Sequence, residues 1–348
     1  MKLNYKWTMK DNYPTDKNGL KVFSCFACGG GSTMGYKLAG FEVIGCNEID
    51  PKMNKVYVAN HNPKFNYLEG IQAFKLRDDL PEELYNLDIL DGSPPCSSFS
   101  MAGNREKDWG KEKKFKEGQA EQVLDTLFFD FIDLAEKLKP KVVIAENVKG
   151  LLMGEAQKYV NKILQAFDKA GYYVTYTLLD ASKMGVPQKR QRVFFTAIRK
   201  DLYKGHFVDL FQSEPSLKLE FNEKEIPFGK IQEYDDNRKK LSPTYQRHWA
   251  NACKETGYVT LKNGNTFGFY YTAVKHRVFV SMTAGNSEYG IEEESSFIND
   301  SEIIKLGSFP SDYIFLNQKP KYLIGMSVPP LMTARIANEL KKQWLDKV

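Results

Sequence analysis

The segment DGSPPCSSFS (91–100) places a cysteine shortly after an apolar run that ends at Leu90. Two prolines cannot continue a central strand and they stiffen the backbone, so Cys96 is expected on a rigid turn at a strand end. Serines surround it and a lysine-rich segment follows, whereas a cysteine that only packs in a core usually has apolar neighbours. An exposed thiol whose thiolate is favoured can act as a nucleophile. The local sequence leaves both roles open.

Two further segments carry charged side chains beside apolar runs. Glu146 follows KVVIA in AENVKG (145–150), so it lies either in solvent at a sheet edge or in the same crevice as Cys96. In QKRQR, Arg190 and Arg192 alternate and therefore point the same way in an extended chain. A pair of guanidinium groups near a cleft can hold a phosphate or an anionic thiol. A solvated basic loop is the alternative.

The segment FACGGGS (26–32) places glycines between a predicted strand and a predicted helix. Glycines let the backbone approach a ligand, and a helix N-terminus adds partial positive charge. Glu48 ends the next predicted strand, where an acidic side chain can bind ribose hydroxyls. This pattern alone fits NAD, FAD or S-adenosylmethionine, and a plain glycine turn beside a surface glutamate is the alternative. The lack of G-x-G-x-x-G favours a ligand other than a dinucleotide.

These segments lie at strand ends in a chain that alternates strands and helices up to Arg199. Such alternation predicts an α/β, Rossmann-like fold with a mostly parallel sheet covered on both faces. The predicted strands are KVFSCFA (21–27), FEVIGCNEID (41–50), NLDILDG (86–92), KVVIAEN (141–147), YYVTYTLLD (172–180) and RVFFTAIR (192–199). The predicted helices are one after the glycine turn, PKMNKVYVANH (51–61), residues 119–138 and residues 155–170.

Residues 200–320 differ in composition and are rich in polar and aromatic residues. They contain short strand-like segments at NTFGFYYTAV (265–274) and HRVFVSMTAG (276–285). They predict a smaller, irregular module. The amphipathic segment 329–348 is predicted to form one helix that packs on the first domain. The sequence therefore predicts two domains, residues 1–199 plus 322–348 and residues 200–321.

The composition is that of a globular protein, with 42% hydrophobic and 27% charged residues. A net charge of +5 allows a nucleic-acid partner without requiring one. Neither a signal-peptide core nor a run of about 18 apolar residues is present, which predicts no membrane partner. Five cysteines suit reduced thiols and a cytoplasmic location. Cys25 and Cys28 form a C-x-x-C without a second pair, so no metal site is predicted.

In chain order, FACGGG, SPPCSSFS, AENV and QKRQR resemble the motifs of the bacterial and phage C5-cytosine-specific DNA methyltransferase family. NDSEIIKLGSFPSDY (299–313) and YLIGMSVPPLMTARIANEL (322–340) are similar to its last two motifs. The resemblance covers the chain from about Lys21 onward except residues 200–298, where the family places its variable target-recognition region. It implies the S-adenosylmethionine-dependent methyltransferase fold and double-stranded DNA as substrate.

In that family a prolyl-cysteine thiolate adds to C6 of cytosine, and C5 of the resulting enamine attacks the methyl group of S-adenosylmethionine. The match makes Cys96 the nucleophile and Glu146 the group that binds the N3/N4 edge of the base. Arg192 would reach O2, Arg190 would support the loop, a phosphate and the thiolate, and Asn147 would shape the motif loop. A base inside a duplex must be flipped out to reach them.

The resemblance also implies the cofactor contacts and shows three departures from the family pattern. Cys28 stands where glycine is usual, YLEGI (67–71) lacks an acidic residue directly before the isoleucine, and Met326 replaces an asparagine. Glu69 is a displaced candidate for the missing acid. Activity is expected, with an altered affinity for the cofactor. The implied cofactor-binding residues are Phe26, Cys28, Gly29, Gly31, Glu48, Ile49, Ile71, Pro95 and Val328.

A tRNA cytosine methyltransferase of the same fold is the first alternative, although the C-F-T tripeptide usual in such enzymes is absent from residues 200–298. A catalytically inactive relative that binds DNA or cofactor is the second, and intact Cys96, Glu146 and Arg192 argue against it. A nicotinamide oxidoreductase would explain the glycine turn but neither SPPC nor AENV.

Residues 200–298 are expected to set the DNA sequence specificity, because they are the only part without a catalytic match. The family implies a role in restriction-modification or epigenetic marking, allows a cognate restriction endonuclease as partner, and favours a monomer. Side chains of the types that read base edges there include Arg238, Gln246, Arg247, Asn251 and Arg277.

Overall fold

The computed structural model describes residues 4–95, 126–154, 156–206, 217–250, 257–260, 266–285 and 287–348. The chain forms two compact units, each built from separate stretches of sequence. The larger unit comprises Tyr13–Leu179, Gln191–Glu220 and Ala334–Val348, and the smaller unit comprises Met1–Asn12, Asp180–Arg190 and Phe221–Thr333. The domain division drawn from the sequence stays a prediction.

Helices and strands alternate along most of the chain. In order they are α1 (Met9–Asn12), β1 (Lys21–Cys25), α2 (Gly31–Leu38), β2 (Glu42–Asn47), α3 (Pro51–His61), β3 (Phe65–Tyr67), α4 (Ile71–Phe74), β4 (Ile89–Gly92), α5 (Leu127–Leu138), β5 (Val142–Val148), α6 (Ala156–Lys169), β6 (Tyr172–Asp180), β7 (Gln191–Arg199), α7 (Lys200–His206), α8 (Pro243–Ala250), β8 (Tyr258–Thr260), β9 (Thr266–Ala273), β10 (Glu288–Ile291), α9 (Asp300–Leu306), α10 (Pro320–Met326) and α11 (Pro330–Gln343). Short 3-10 turns occupy Glu82–Tyr85, Lys149–Leu152, Ala181–Lys183, Phe228–Lys230 and Leu345–Lys347.

The larger unit holds a seven-stranded sheet in the order β3-β2-β1-β4-β5-β7-β6. The pairs β2–β3, β1–β2, β1–β4 and β4–β5 are parallel, whereas β5 and β7 run antiparallel. The predicted α/β fold with a mostly parallel sheet is therefore confirmed. Strand order reverses between β1 and β4, which makes a crevice at the carboxyl ends of these two strands.

The helices of the larger unit cover the sheet because their apolar residues recur every three or four positions. In α5 the buried side chains include Phe128, Phe131, Leu134 and Leu138, each worth about 1.5–3 kcal/mol when fully buried. Residues 119–125 of the predicted helix lie outside the described residues. In the part of the chain that is described, no helix is both long and apolar enough to cross a membrane.

The smaller unit contains a three-stranded sheet in the order β10-β9-β8, with β9 parallel to β10 and antiparallel to β8. Its N-terminal stretch is fastened by Trp7, whose Nε1 donates to the carbonyl of Ser308 at 2.8 Å. The predicted strand at NTFGFYYTAV (265–274) is confirmed as β9.

The strand-like prediction for HRVFVSMTAG (276–285) is wrong. This segment makes one isolated bridge, between Phe279 and Gln188. Side chains bind the backbone groups of Met282: its N–H donates to Gln188 Oε1 at 3.1 Å, and its carbonyl accepts from Arg190 Nη1 at 2.8 Å. Because side chains occupy these groups, no second strand can pair with them.

Candidate active site

The carboxyl edge of the parallel strands in the larger unit brings together most residues that the sequence indicates. Phe26 follows β1, Glu48 follows β2, Pro95 follows β4, and Glu146 lies near the end of β5. Parallel strands end at the same edge of a sheet, and ligands of such sheets bind there at the point where strand order reverses. This edge is the candidate site.

The turn between β1 and α2 has a left-handed backbone at several positions. The φ angle is 52° at Phe26, 47° at Cys28 and 85° at Gly30. Residues that carry a side chain rarely adopt such backbone angles, whereas glycine adopts them readily. Cys28 thus takes a conformation that favours glycine, which gives a physical reason for the glycine expected there. The turn leads into the N-terminus of α2, whose unpaired N–H groups suit an anionic ligand group.

Gly30 packs directly on His61, the last residue of α3. A Cβ atom on Gly30 would lie 2.1 Å from His61 Nε2. The imidazole is buried and packs edge-on against Tyr57, with ring centroids 4.7 Å apart. Burial lowers the pKa of His61 well below its usual range, so the ring is neutral. His61 carries no functional signal in the sequence, because a histidine at a helix end does not show that the earlier turn at Gly30 packs on it.

Replacing Gly30 with alanine is expected to destabilise the larger unit by about 2–5 kcal/mol. A left-handed conformation costs alanine roughly 1–2 kcal/mol, and forcing a methyl group against the buried imidazole costs roughly 1–3 kcal/mol more. Urea unfolding followed by circular dichroism measures the loss.

Gly171→Ala is the matched control, because Gly171 also has a positive φ, 88°, but open space around its Cβ position. This variant should lose only the conformational part. Equal losses in the two variants would contradict the close packing of Gly30 on His61.

Glu48 is buried and its carboxylate is held by backbone N–H groups. Oε2 accepts from the Cys28 N–H at 2.6 Å, and Oε1 accepts from the Asp50 N–H at 2.8 Å. Burial raises the pKa of Glu48, and these hydrogen bonds act in the opposite direction. Ile49 makes a third backbone hydrogen bond to it. A carboxylate can accept about four hydrogen bonds, so three amide donors leave capacity for about one hydroxyl group. That arrangement suits a ribose.

The residues expected around an adenine lie beyond Glu48. Ile49 is half-buried and Ile71, at the start of α4, is buried. Glu69 Oε1 pairs with Arg77 Nη1 at 3.1 Å. The displaced adenine contact suggested for Glu69 would therefore compete with Arg77.

Cys96 lies outside the described residues, but the chain that leads to it is described up to Pro95. Asn147, which is buried, donates from Nδ2 to the carbonyl of Pro94 at 3.1 Å. Its Oδ1 accepts from the Val148 N–H at 2.8 Å. A buried amide thus fixes the backbone two residues before Cys96, which fits the predicted role of Asn147 in shaping that loop.

Glu146 on β5 and Arg192 on β7 form an ion pair. Arg192 Nε lies 2.9 Å from Glu146 Oε1, and the side chains are 12% and 17% exposed for Glu146 and Arg192. In the antiparallel register Glu146 is opposite Phe194 and Val148 is opposite Arg192, so the paired side chains are diagonal neighbours on one sheet face. Burial lowers the pKa of Arg192 and the Glu146 charge raises it, and a guanidinium stays charged throughout. A partly exposed pair of this kind offers donors and acceptors to a planar ring.

Arg190 and Val328, both buried, belong to the smaller unit. Arg190 Nη1 donates to the Met282 carbonyl at 2.8 Å, and Nη2 donates to the carbonyls of Gly325 and Ser327 at 2.8 and 3.0 Å. Val328 directly follows this anchored segment. The catalytic support expected of Arg190 and the cofactor contact expected of Val328 stay predictions.

The expectation that Arg238 reads a base edge is wrong. Its side chain is 2% exposed, and its Nη1 and Nη2 pair with the two carboxylate oxygens of Glu302 at 2.7 and 2.6 Å. A buried bidentate pair leaves the guanidinium no access to a base. The other expected readers are Gln246, which is half-buried, Arg247 and Arg277, which are exposed, and Asn251, which lies outside the described residues.

A family model described as C-5 cytosine-specific DNA methylase matches residues 20–342. The type II methyltransferase M.NgoPII of Neisseria gonorrhoeae is 29% identical over 96% of this chain and 99% of its own length. The type II methyltransferase M.FnuDI of Fusobacterium nucleatum is 36% identical over 54% of this chain and 49% of its own length. The sequence likeness thus spans both ends of the chain and its middle.

Solved structures show the same architecture. A prophage-encoded methyltransferase of E. coli gives a TM-score of 0.67 at 18% identity and covers 93% of this chain and 99% of its own. A DNMT2 variant from Spodoptera frugiperda gives 0.63 at 18% identity and covers 92% and 99%. These likenesses show a shared fold and confirm the predicted methyltransferase fold class.

Proposed function

The chain belongs to the C-5 cytosine-specific DNA methylase family, and on that premise we propose that it transfers a methyl group from S-adenosylmethionine to C5 of a cytosine in double-stranded DNA. The observation that carries the proposal is the Glu146–Arg192 ion pair, at the same sheet edge as the glycine turn and Glu48. A nicotinamide oxidoreductase would account for the glycine turn and Glu48 but gives no reason for this pair.

The residues at this edge fit the cofactor. When bound, S-adenosylmethionine supplies an electrophilic methyl group on a sulfonium centre. Glu48 keeps acceptor capacity for a ribose hydroxyl, and the N-terminus of α2 at Gly31 would direct N–H groups toward the carboxylate of the methionine part, with Gly29 beside it. Phe26 and Cys28 would lie beside that part, while Ile49, Ile71 and Pro95 supply apolar surface.

Glu146 would recognise the cytosine. Arg192 binds one of its oxygens, so the other can accept from the 4-amino group or deliver a proton to N3. Thymine carries a carbonyl at position 4 and cannot donate there, so this contact selects cytosine. Arg192 would also reach O2 of the ring. The base must leave the duplex to arrive here, at a cost of a few kcal/mol.

Cys96 would supply the nucleophile. Addition of its thiolate to C6 forms the sulfur–carbon bond and, with a proton delivered to N3 by Glu146, leaves an enamine. The cofactor, held by Glu48 and the turn through Gly29 and Gly31, would supply the methyl group to C5 of this enamine, and its sulfur would keep the electron pair of the broken bond. Removal of the C5 proton by a base then expels Cys96 from C6, and the N3 proton returns to Glu146.

Bisulfite sequencing of plasmid DNA from cells that express the protein tests this proposal. We expect protected cytosines in one short sequence context. Unmodified plasmid together with 5-methylcytosine in tRNA would favour the RNA methyltransferase instead, and no modification of either would favour an inactive binding protein.

The smaller unit presents a cationic turn at Lys275–Arg277, directly after β9. Its backbone is fixed, because the Phe228 N–H donates to the Arg277 carbonyl at 2.7 Å and the Gly229 N–H donates to the Lys275 carbonyl at 2.8 Å. The side chains of Lys275, His276 and Arg277 are exposed. A turn that is already ordered loses little entropy on binding. Within the proposed function, we assign this turn to contacts with DNA.

Replacing Lys275 with alanine is expected to weaken binding to all DNA sequences and to reduce the slope of log K against log salt by about one unit, because one phosphate contact is lost. Arg277→Ala should either do the same or relax the site at one base, which separates a phosphate contact from a base contact. Lys55→Ala is the control, since Lys55 is exposed on α3 of the larger unit. Fluorescence anisotropy over a salt series measures the slopes, and equal slopes for Lys275→Ala and wild type would contradict the assignment.

M.NgoPII and M.FnuDI are both named type II methyltransferases. This supports a further part of the proposal: the methyl mark protects a DNA site from a cognate restriction endonuclease. We also propose that the chain acts as a monomer. Digestion of the expressed plasmid with enzymes that cut the identified site tests the protection.

A further inference from the structure

Asp91 is a buried acid beneath the candidate site to which the proposed mechanism gives no role. It lies on β4 and is 4% exposed. Its Oδ2 accepts from the Ser24 hydroxyl at 3.0 Å, and its Oδ1 accepts from the Tyr36 hydroxyl at 3.1 Å. The Ser32 hydroxyl makes a further hydrogen bond to it. One carboxylate therefore gathers three hydroxyl groups.

These hydroxyl groups come from β1 and α2, the two elements on either side of the turn at residues 26–30. We call this turn the cofactor turn. Ser24 is paired with Asp91 in the parallel register of β1 and β4, two residues before Phe26. Ser32 and Tyr36 are four residues apart in α2 and so lie on one face of the helix that follows the turn. Asp91 itself lies five residues before Cys96. The carboxylate is thus hydrogen-bonded to residues on both sides of the cofactor turn, and it belongs to the strand that leads to the nucleophile.

We propose that Asp91 is a positioning residue that couples the cofactor turn to the strand leading to Cys96 through its bonds to Ser24, Ser32 and Tyr36. The inference rests on the proposed function. Its physical basis is that the ionised carboxylate is purely an acceptor at both oxygens, which suits three hydroxyl donors, whereas protonation adds an O–H donor that one of these hydroxyl groups must turn to accept. The protonated form must use one oxygen as a donor and gives up part of this arrangement.

The site favours a change of protonation near neutrality. Burial raises the pKa of Asp91 to about 7, the charge of Glu146 acts in the same direction, and the hydroxyl groups oppose it. The other titratable groups that face it are Tyr36, Cys25 and Tyr57, whose own pKa values are raised well above their usual range by burial and, to a smaller extent, by the Asp91 charge. They remain neutral, so Asp91 is the group among them that changes charge near pH 7.

Two opposite pH trends follow. Because the pKa of Asp91 is raised in the folded state, its contribution to stability is fully present below the unfolded pKa and is lost as pH rises through about 7. Cofactor binding should instead improve over the same rise, since the ionised form holds the turn and also attracts the positively charged ligand. A group that is only structural would not give trends of opposite sign.

The test uses the full chain and measures the dissociation constant for S-adenosylmethionine by calorimetry from pH 6 to 8, with melting temperatures over the same range. Asp91→Asn keeps the shape and mimics the protonated acid. We expect it to bind with the affinity that wild type shows at pH 6 and to lose both pH trends. Asp91→Ala should weaken binding by about 10-fold or more, because buried hydroxyl groups lose their partner.

Tyr36→Phe carries the test if Asp91→Ala does not fold, because it removes one hydroxyl group and no packing. It should weaken cofactor binding at pH 8 by about threefold, which corresponds to the loss of one hydrogen bond. Binding at pH 6 should stay closer to that of wild type. The proposal is wrong if Asp91→Asn shows the same pH trends as wild type. It is also wrong if Tyr36→Phe and Asp91→Ala bind the cofactor with unchanged affinity. Failure of the proposed function is seen separately, as wild-type protein that binds the cofactor but leaves plasmid DNA unmodified.

Discussion

Cys96→Ser is expected to abolish methyl transfer while cofactor affinity stays within about threefold of wild type. A serine hydroxyl is a far weaker nucleophile than a thiolate at neutral pH, and the cofactor contacts proposed above come mainly from other residues. Transfer of labelled methyl groups to plasmid DNA measures activity, and calorimetry with S-adenosylmethionine measures binding. Mass spectrometry with an oligonucleotide that contains 5-fluorocytosine should show a stable adduct on wild type alone.

Two buried thiols, those of Cys25 and Cys46, supply the control for this prediction. Burial raises the thiol pKa of Cys25 and Cys46, so neither forms the thiolate readily. Cys46→Ser keeps a donor to Asn66 Oδ1, which Cys46 Sγ contacts at 3.2 Å, and it should remain active and form the adduct. Full activity in Cys96→Ser, or an adduct mapped to a different cysteine, would assign the nucleophile elsewhere.

Glu146→Gln is expected to lower the rate of methyl transfer by about 10²–10⁴-fold, the range found when a group that moves a proton in the transition state is lost. Glutamine keeps the shape and can still accept from Arg192, but it cannot deliver a proton to N3. Single-turnover kinetics with saturating cofactor and DNA isolate this step. The dissociation constant for S-adenosylmethionine should change by less than about threefold.

Glu83→Gln is the matched control, because Glu83 is a half-buried glutamate outside the candidate site that also has a cationic partner, Lys64. It should keep the wild-type rate. Arg192→Ala should lose activity as Glu146→Gln does, since it leaves the Glu146 carboxylate partly buried without its partner. A Glu146→Gln enzyme that keeps a tenth or more of the wild-type rate would rule out the proton-transfer role.

The elements of the larger unit could be predicted closely because each has its own local pattern. Helix 51–61 was marked by a proline at its start and strand 172–180 by an apolar run, and both have the predicted bounds. Placing Glu48 and Glu146 at one edge needed only the rule that parallel strands end together. The Glu146–Arg192 contact needed more, because β7 runs antiparallel and its register cannot be read from spacing.

The residues that the sequence did not indicate depend on neighbours distant in the chain. Asp91 meets Ser24 only because β4 lies beside β1, and Gly30 meets His61 only through the packing of α3. Arg238 has the residue type of a base reader, yet Glu302, 64 positions later, pairs with it in the core of the smaller unit. The residue type determines which groups a side chain can bind, and the fold determines which of those groups lies next to it.

The larger unit is assembled from three stretches, the last of which is Ala334–Val348, where Leu340 and Trp344 are buried. Translation proceeds from the N-terminus, so every residue of the smaller unit leaves the ribosome before this stretch does. The larger unit therefore cannot complete its core before this stretch is synthesised, and apolar surface that stays exposed until then is the kind that chaperones bind. A polypeptide released before residue 334 would carry all seven strands of the sheet and lack the side chains of Leu340 and Trp344 that this unit buries. We expect such a fragment to be less stable than the 348-residue chain.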